Sequence, residues 1–174
     1  STHRYYDNNS YDDDYLYIGS KNSNVYVYNR SNFTQITESP LTNATDQAIS
    51  VYADNDYLYI GSWDNKVYIY NRSDFTQITE SPLTDSNDDR IYSVYADDQY
   101  IYAGTAYTYH RIYIWNKSNF NQIAESPLSD ANNNINSVYA DSDYLYAGSA
   151  DDNTYIYNKS DFTQITESPF TNAS

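Results

Sequence analysis

The chain has 174 residues, with nine Lys and Arg against 24 Asp and Glu, and its formal charge of −15 repels nucleic acid and anionic membrane surfaces. It has no cysteine, which excludes disulfide frameworks, zinc–thiolate centres and thiol nucleophiles. No run approaches the roughly 18 apolar residues of a helical membrane span, and residues 1–14 do not read as a signal peptide.

Tyrosine supplies 24 residues, phenylalanine five and methionine none, an aromatic bias that points to strands. Markers recur along the chain. Glu-Ser-Pro begins at Glu38, Glu80, Glu125 and Glu167, and Tyr-(Leu/Ile)-Tyr begins at Tyr15, Tyr57, Tyr100 and Tyr144. A third marker, Ser-Val-Tyr-Ala-Asp, begins at Ser50, Ser93 and Ser137. The period of about 43 residues suits a unit of four short strands. One domain over residues 1–174 therefore divides into approximate repeats 1–42, 43–85, 86–129 and 130–174.

In chain order, copy one lacks a good first strand, because residues 8–11 (NNSY) stand where copy two has SVYA. Tyr5-Tyr6 with a longer turn is a candidate replacement. Copy two reads in four pieces: 49–53 (ISVYA), 57–61 (YLYIG), 67–70 (VYIY) and a weaker 75–79 (FTQIT), each bounded by Asn, Asp, Ser, Gly or Pro. Period-two runs with such boundaries are hairpin-connected strands, and helical periodicity is absent. In residues 67–70, Val67 and Ile69 point to one face and Tyr68 and Tyr70 to the other, so neither face is polar. A sheet apolar on both sides must be covered on both sides. The expected fold is all-β, a β-propeller of four blades, each a four-stranded antiparallel sheet. The alternatives are an excerpt of a longer propeller array or half of an eight-bladed dimer. An open end would leave an exposed edge.

Copy three departs from the others. From Gly104 to Asn116 it spans twelve positions, whereas Gly19 to Asn29, Gly61 to Asn71 and Gly148 to Asn158 span ten. The insertion brings in Tyr107, Thr108, Tyr109 and His110 beside Arg111. With strands lettered A to D in each unit, antiparallel order puts the A–B and C–D turns on one rim. The B–C turns and D–A crossovers share the other. The first rim carries the acidic turns and the four Asn-(Arg/Lys)-Ser turns at Asn29, Asn71, Asn116 and Asn158. The second carries Trp63 and the insertion.

Residues 93–105 (SVYADDQYIYAGT) and 111–116 (RIYIWN) resemble a WD-repeat blade, a family in which a small residue, an acidic turn, a Gly-Ser pair and a closing Trp-Asp-like dipeptide recur in that order. Trp115-Asn116 stands at the Trp-Asp position; Tyr28-Asn29, Tyr70-Asn71 and Tyr157-Asn158 stand there in the other copies. The Gly-His dipeptide of that family is missing, so the blades are similar to YVTN-type and quinoprotein-type propellers as well. The resemblance implies a binding scaffold rather than a particular chemistry.

The candidate sites are weighed against plainer readings. Asn29, Asn71, Asn116 and Asn158 head glycosylation sequons, as do Asn8, Asn32, Asn43 and Asn172, yet Asn and Ser are also good turn formers. Asp85-x-Asn87-x-Asp89 and Asp130-x-Asn132-x-Asn134 resemble the opening of a calcium loop but lack its glycine and closing glutamate, so no calcium site is expected. The repeated glutamates are expected to pair with Arg30, Arg72, Lys117 or Lys159. The two histidines, His3 and His110, lie in unrelated segments, and no nucleophile–base order or phosphate-cradling glycine loop is present. No enzyme, cofactor or metal is expected. The expected function is a non-catalytic binding or structural module at the cell surface or outside the cell, acting in protein interaction or adhesion. The alternative is a carbohydrate-binding propeller. Trp63, Tyr107, Tyr109, His110 and Arg111 are the candidate contacts for a protein or glycan on the second rim. No nucleic acid or membrane insertion is expected, and the repeats also allow self-association.

Overall fold

A computed structural model describes residues 9–84 and 89–171. Among the described residues every regular element is a strand, and the strands form four antiparallel sheets in chain order. The first sheet is β1 (Asn9–Tyr11), β2 (Tyr15–Gly19) and β3 (Val25–Asn29). The second is β4 (Ala48–Ala53), β5 (Tyr57–Ser62), β6 (Lys66–Asn71) and β7 (Leu83–Thr84). The third is β8 (Arg90–Ala96), β9 (Tyr100–Ala106) and β10 (Ile112–Asn116). The fourth is β11 (Ile135–Ala140), β12 (Tyr144–Ser149), β13 (Asn153–Asn158) and β14 (Phe170–Thr171).

Three details correct the reading from sequence. The first and third sheets have three strands rather than four, because Leu41 and Leu128 make only single bridges to Val25 and Ile112. The first copy does have an A strand: β1 pairs with β2 through Ser10 opposite Tyr17, the register that Tyr52 and Tyr59 keep in the second sheet. Backbone pairing needs no particular side chain, so NNSY serves; Tyr5 and Tyr6 lie outside the described residues. The fourth strand is not residues 75–79. Phe75 sits at φ 56°, a left-handed conformation that breaks an extended run, and its N–H bonds back to Asn71 at 2.8 Å. Gln77 makes a single bridge to Tyr70, and true pairing resumes at Leu83 opposite Val67. Between these points the Ser81 hydroxyl accepts the Ile69 N–H at 2.8 Å. Ser39, Ser126 and Ser168 do the same for Val27, Ile114 and Ile156, each at 2.9 Å. The recurring Glu-Ser-Pro therefore supplies a hydroxyl where the ladder lacks a carbonyl, because an orphaned backbone donor would be costly.

The sheets stack face to face through three apolar clusters. Tyr17, Val25 and Val27 of the first sheet meet Leu58, Ile60, Tyr68 and Tyr70 of the second. Tyr59, Val67 and Ile69 of the second meet Ile101, Ala103, Tyr113 and Trp115 of the third. Tyr102, Ile112 and Ile114 of the third meet Leu145, Ala147, Tyr155 and Tyr157 of the fourth. One face always offers the second tyrosine of Tyr-x-Tyr; the next sheet answers with the aromatic residues of its C strand. Close approach is enforced at glycine. A Cβ on Gly61 would stand 2.7 Å from Cγ2 of Ile91 in the next sheet, and one on Gly104 would stand 2.5 Å from Cγ2 of Ile135.

No such cluster joins the fourth sheet to the first among the described residues, so the sheets form an open arc, in keeping with the alternatives of a longer array or half of a larger ring rather than with a closed four-bladed ring. The outer faces carry the cost. Tyr139 is 55 % exposed and Phe170 50 %, whereas Leu41, Leu83 and Leu128, which hold the place of Phe170 in the other copies, are buried.

Tyr59 is fully buried, with its ring in the second interface and its hydroxyl bonded to Asp54 at 2.8 Å. Tyr59→Ala should cost about 3–5 kcal/mol, read as the shift in urea midpoint at constant slope. An unchanged midpoint would remove this tyrosine from the core.

Candidate functional site

On the first rim each acidic turn is built around one carboxylate. Asp54 Oδ1 accepts the N–H groups of Asp56 and Tyr57, both at 2.8 Å, which closes the turn between the A and B strands. Its Oδ2 accepts the Tyr59 hydroxyl at 2.8 Å and Lys117 Nζ of the following sheet at 2.8 Å. The arrangement repeats. Asp12 takes Tyr17 at 2.6 Å and Arg72 Nε at 2.7 Å. Asp97 takes Tyr102 at 2.8 Å and Lys159 at 2.7 Å. Arg72, Lys117 and Lys159 of the Asn-(Arg/Lys)-Ser turns thus pair with the acidic turn of the preceding sheet, and among the described residues none of the four cations pairs with Glu38, Glu80, Glu125 or Glu167 as the sequence suggested. The aspartates stand on the same rim, whereas the glutamates belong to the D segment.

Burial alone would raise the Asp12 and Asp97 carboxyls. Their bonds from Arg72 or Lys159, from backbone N–H groups and from tyrosine outweigh it and hold both below the ordinary range. Burial, with the adjoining Asp carboxylate, pushes the Tyr59 and Tyr102 hydroxyls far up, so they stay protonated donors. The asparagines of the sequons have a local task. Asn29 Oδ1 accepts Ser31 N at 2.8 Å, Asn116 Oδ1 accepts Ser118 N at 2.9 Å, and Asn71 Nδ2 donates to Thr76 Oγ1 at 3.1 Å. Asn158 heads the fourth such turn, accepting Phe162 N through its carbonyl at 2.7 Å.

The second rim gathers the remaining candidates. Trp63 is half-buried: its ring stacks on Tyr92 at 5.9 Å, and Arg90 lies over it at 4.4 Å. Arg90 also lies 4.9 Å from the Tyr107 ring, so Trp63, Arg90 and Tyr107 form one stack. Tyr107 is 72 % exposed, while Tyr109 is 44 % exposed beneath Arg111 at 4.6 Å. His110 is half-buried, with Nδ1 lacking a partner. The insertion is held by a residue that the sequence reading had placed only in a calcium-like linker. Asp89, fully buried, accepts Thr105 Oγ1 at 2.9 Å and the N–H groups of Thr108 and Tyr109 at 3.0 Å each. Its one usable signal was an acidic residue immediately before the only A strand that meets a lengthened hairpin.

The calcium-like linkers resolve in part. Asp85 and Asn87 lie outside the described residues, and Asp89 is engaged as above. Asp130 stands at the Tyr157 hydroxyl, and Asn132 N donates to Asp151 at 2.9 Å. Among the described residues no group of three or more His, Cys, Asp or Glu is placed to hold a metal. A cavity of about 610 Å³ opens on the first rim, lined by Tyr52 and Tyr95, by Asp54, Asp97 and Lys159, which are paired between sheets, and by Asp98 and Asp141, which make no ion pair among the described residues.

Residues 43–71, which include β4 to β6, match the family model described as WD domain, G-beta repeat. The repeats resemble the WD repeat. Trp115, at the position of the family tryptophan, is buried in the second interface. Two solved structures share this WD-like fold. The computationally designed Ika8 protein superimposes with a TM-score of 0.75 at 10 % identity, covering 90 % of this chain and 46 % of its own. The structure of U3-55K superimposes with a TM-score of 0.74 at 13 % identity, covering 87 % of this chain and 45 % of its own. This chain therefore spans less than half the length of either. No curated protein matches the sequence.

Because the folded Asp97 carboxyl lies below its unfolded value of about 3.9, its contribution is complete above that value and is lost as pH falls through the folded one. Urea unfolding at pH 7 and pH 3 should show a larger acid loss in the wild type than in Lys159→Met. Equal losses would mean that the pair does not depress the carboxyl. Asp89→Ala should leave the strands intact while the N–H groups of Thr108 and Tyr109 exchange about tenfold faster or more; unchanged exchange would remove Asp89 as the anchor.

Proposed function

We propose that the chain is a non-catalytic binding module, at the cell surface or outside the cell, that engages a protein through the second rim. One observation carries this reading. In a chain with a large acid excess, Arg90 and Arg111 make no ion pair with a carboxylate among the described residues, and each lies over an exposed or half-exposed tyrosine. Arginine and tyrosine side by side are typical anchors of protein interfaces. The match to the WD repeat supports the same class, since such repeats commonly mediate protein interactions and are in general non-catalytic. The four Asn-(Arg/Lys)-Ser sequons support an extracellular setting, because glycans at those turns, on the first rim, would leave the hairpin of residues 105–111 free.

The partner best suited to this face presents carboxylates beside apolar groups. A second reading, carbohydrate binding, is favoured by the flat, exposed Tyr107 ring, on which a sugar can stack. Parallel screens of the folded chain on acidic-peptide and glycan arrays separate the two. Binding should weaken at least about tenfold in Arg111→Ala and in Tyr109→Ala, and the complex should protect residues 105–111 from hydrogen exchange. Protection confined to the turns at Asn71 and Asn116, or to the cavity beside Tyr95, would move the site to the first rim.

A further inference from the structure

The three junctions between sheets share one set of contacts, and the two free ends of the arc each hold half of a fourth set. At every junction a cation of the later sheet reaches an aspartate of the earlier one: Arg72 to Asp12, Lys117 to Asp54, Lys159 to Asp97. The next members of the series are Arg30 in the first sheet and Asp141 in the fourth. Asp141 is already set, with Oδ1 closing its turn through Asp143 N and Tyr144 N and Oδ2 accepting Tyr146 at 2.8 Å. It makes no ion pair among the described residues, and neither does Arg30. Arg30 instead donates to the Asp12 carbonyl, as Lys159 donates to the Asp141 carbonyl of its own sheet while also pairing with Asp97. Its geometry is thus that of a residue still short of one carboxylate.

Rings and backbone repeat the pattern. Phe75 stands edge-on to Tyr15, Phe120 to Tyr57 and Phe162 to Tyr100, at 5.2, 5.7 and 5.2 Å. Phe33 has the same left-handed backbone, φ 56°, but is 71 % exposed, and Tyr144 has no phenylalanine against it among the described residues. Ser50 Oγ accepts Val94 N at 2.9 Å and Ser93 Oγ accepts Val138 N at 3.0 Å; Ser137, next in the series, is exposed. The bare apolar faces agree, since Ile156 is only half-buried where Ile69 and Ile114 are fully buried.

We propose that a second copy of this chain covers both ends, head to tail, and closes a ring of eight sheets. In that ring Arg30 and Phe33 of each copy meet Asp141 and Tyr144 of the other, at two equivalent junctions. Charge complementarity and continuity with the three existing junctions select this occupant. A head-to-tail contact either closes or grows into open fibres, and eight blades lie within the range that closes.

Sedimentation equilibrium of the full chain tests the proposal. The wild type should have twice the mass of one chain, with no larger species. Arg30→Asp spoils one end and Ile156→Glu the other. Each variant should keep the wild-type far-UV spectrum and raise the dissociation constant at least about tenfold. Mixing the two variants should restore association, because one junction then joins an intact head to an intact tail. A wild-type chain that stays single at about 50 μM, well above a micromolar constant, would overturn the proposal. So would open polymers, a variant with no effect, or a mixture that fails to associate while both variants remain folded.

Discussion

The structure depends on one carboxylate per repeat that answers to two sheets at once. Asp12, Asp54 and Asp97 each close their own turn through Oδ1 and offer Oδ2 to a buried tyrosine hydroxyl and to the cation of the next sheet. A tyrosine buried between sheets would otherwise leave its hydroxyl without a partner, and an aspartate at the rim would otherwise be held only by its own turn. Joined, they fix the depth of the ring and the spacing between sheets together. This accounts for the abundance of tyrosine over phenylalanine: the ring supplies apolar area, and the hydroxyl reaches the rim where the charge is. Apolar contact alone would let neighbouring sheets slide, whereas the directional bonds permit one register.

Because the same junction recurs, the molecule is close to a one-dimensional array in which each sheet contacts only its neighbours. Among the described residues, the two end sheets differ from the middle ones in having a neighbour on one side. The rims divide the work accordingly. The first is occupied by the bonds that join sheets, and most of its charge is spent there. The second carries the one hairpin that differs, anchored by Asp89 and displaying Tyr107 and Tyr109 with two arginines. Structure is repeated on one rim, and individuality is confined to the other.

Most of this fold was legible in the residues. Alternation of Val and Ile with Tyr in residues 67–70 implied a sheet apolar on both sides, and all four side chains are buried. The turns sorted themselves onto rims through antiparallel order, and the insertion in copy three was visible as two extra positions. What stayed hidden depended on contacts between repeats. Lys117 and Asp54 are 63 positions apart, and nothing local favours that pairing over Glu125, which is nearer in the chain; only the shared rim could have suggested it. The D strand was misread because FTQIT has strand-like composition, while the left-handed Phe75 that ends its run is not a residue type that announces such a backbone. The choice between a closed ring and an open arc was left undecided by the sequence for a different reason. Four equal repeats say nothing of the angle between them, which is set by side-chain bulk across each junction.

The most direct test of the central interaction is a double-mutant cycle between Asp54 and Lys117, with Asp54→Asn and Lys117→Met made singly and together and stability read by equilibrium unfolding. Both side chains are largely buried and meet at 2.8 Å. A coupling free energy of about 1–3 kcal/mol is expected for such a pair. Losses that simply add would show that the sheets are held by apolar contact alone, and would contradict the role assigned to the shared carboxylate.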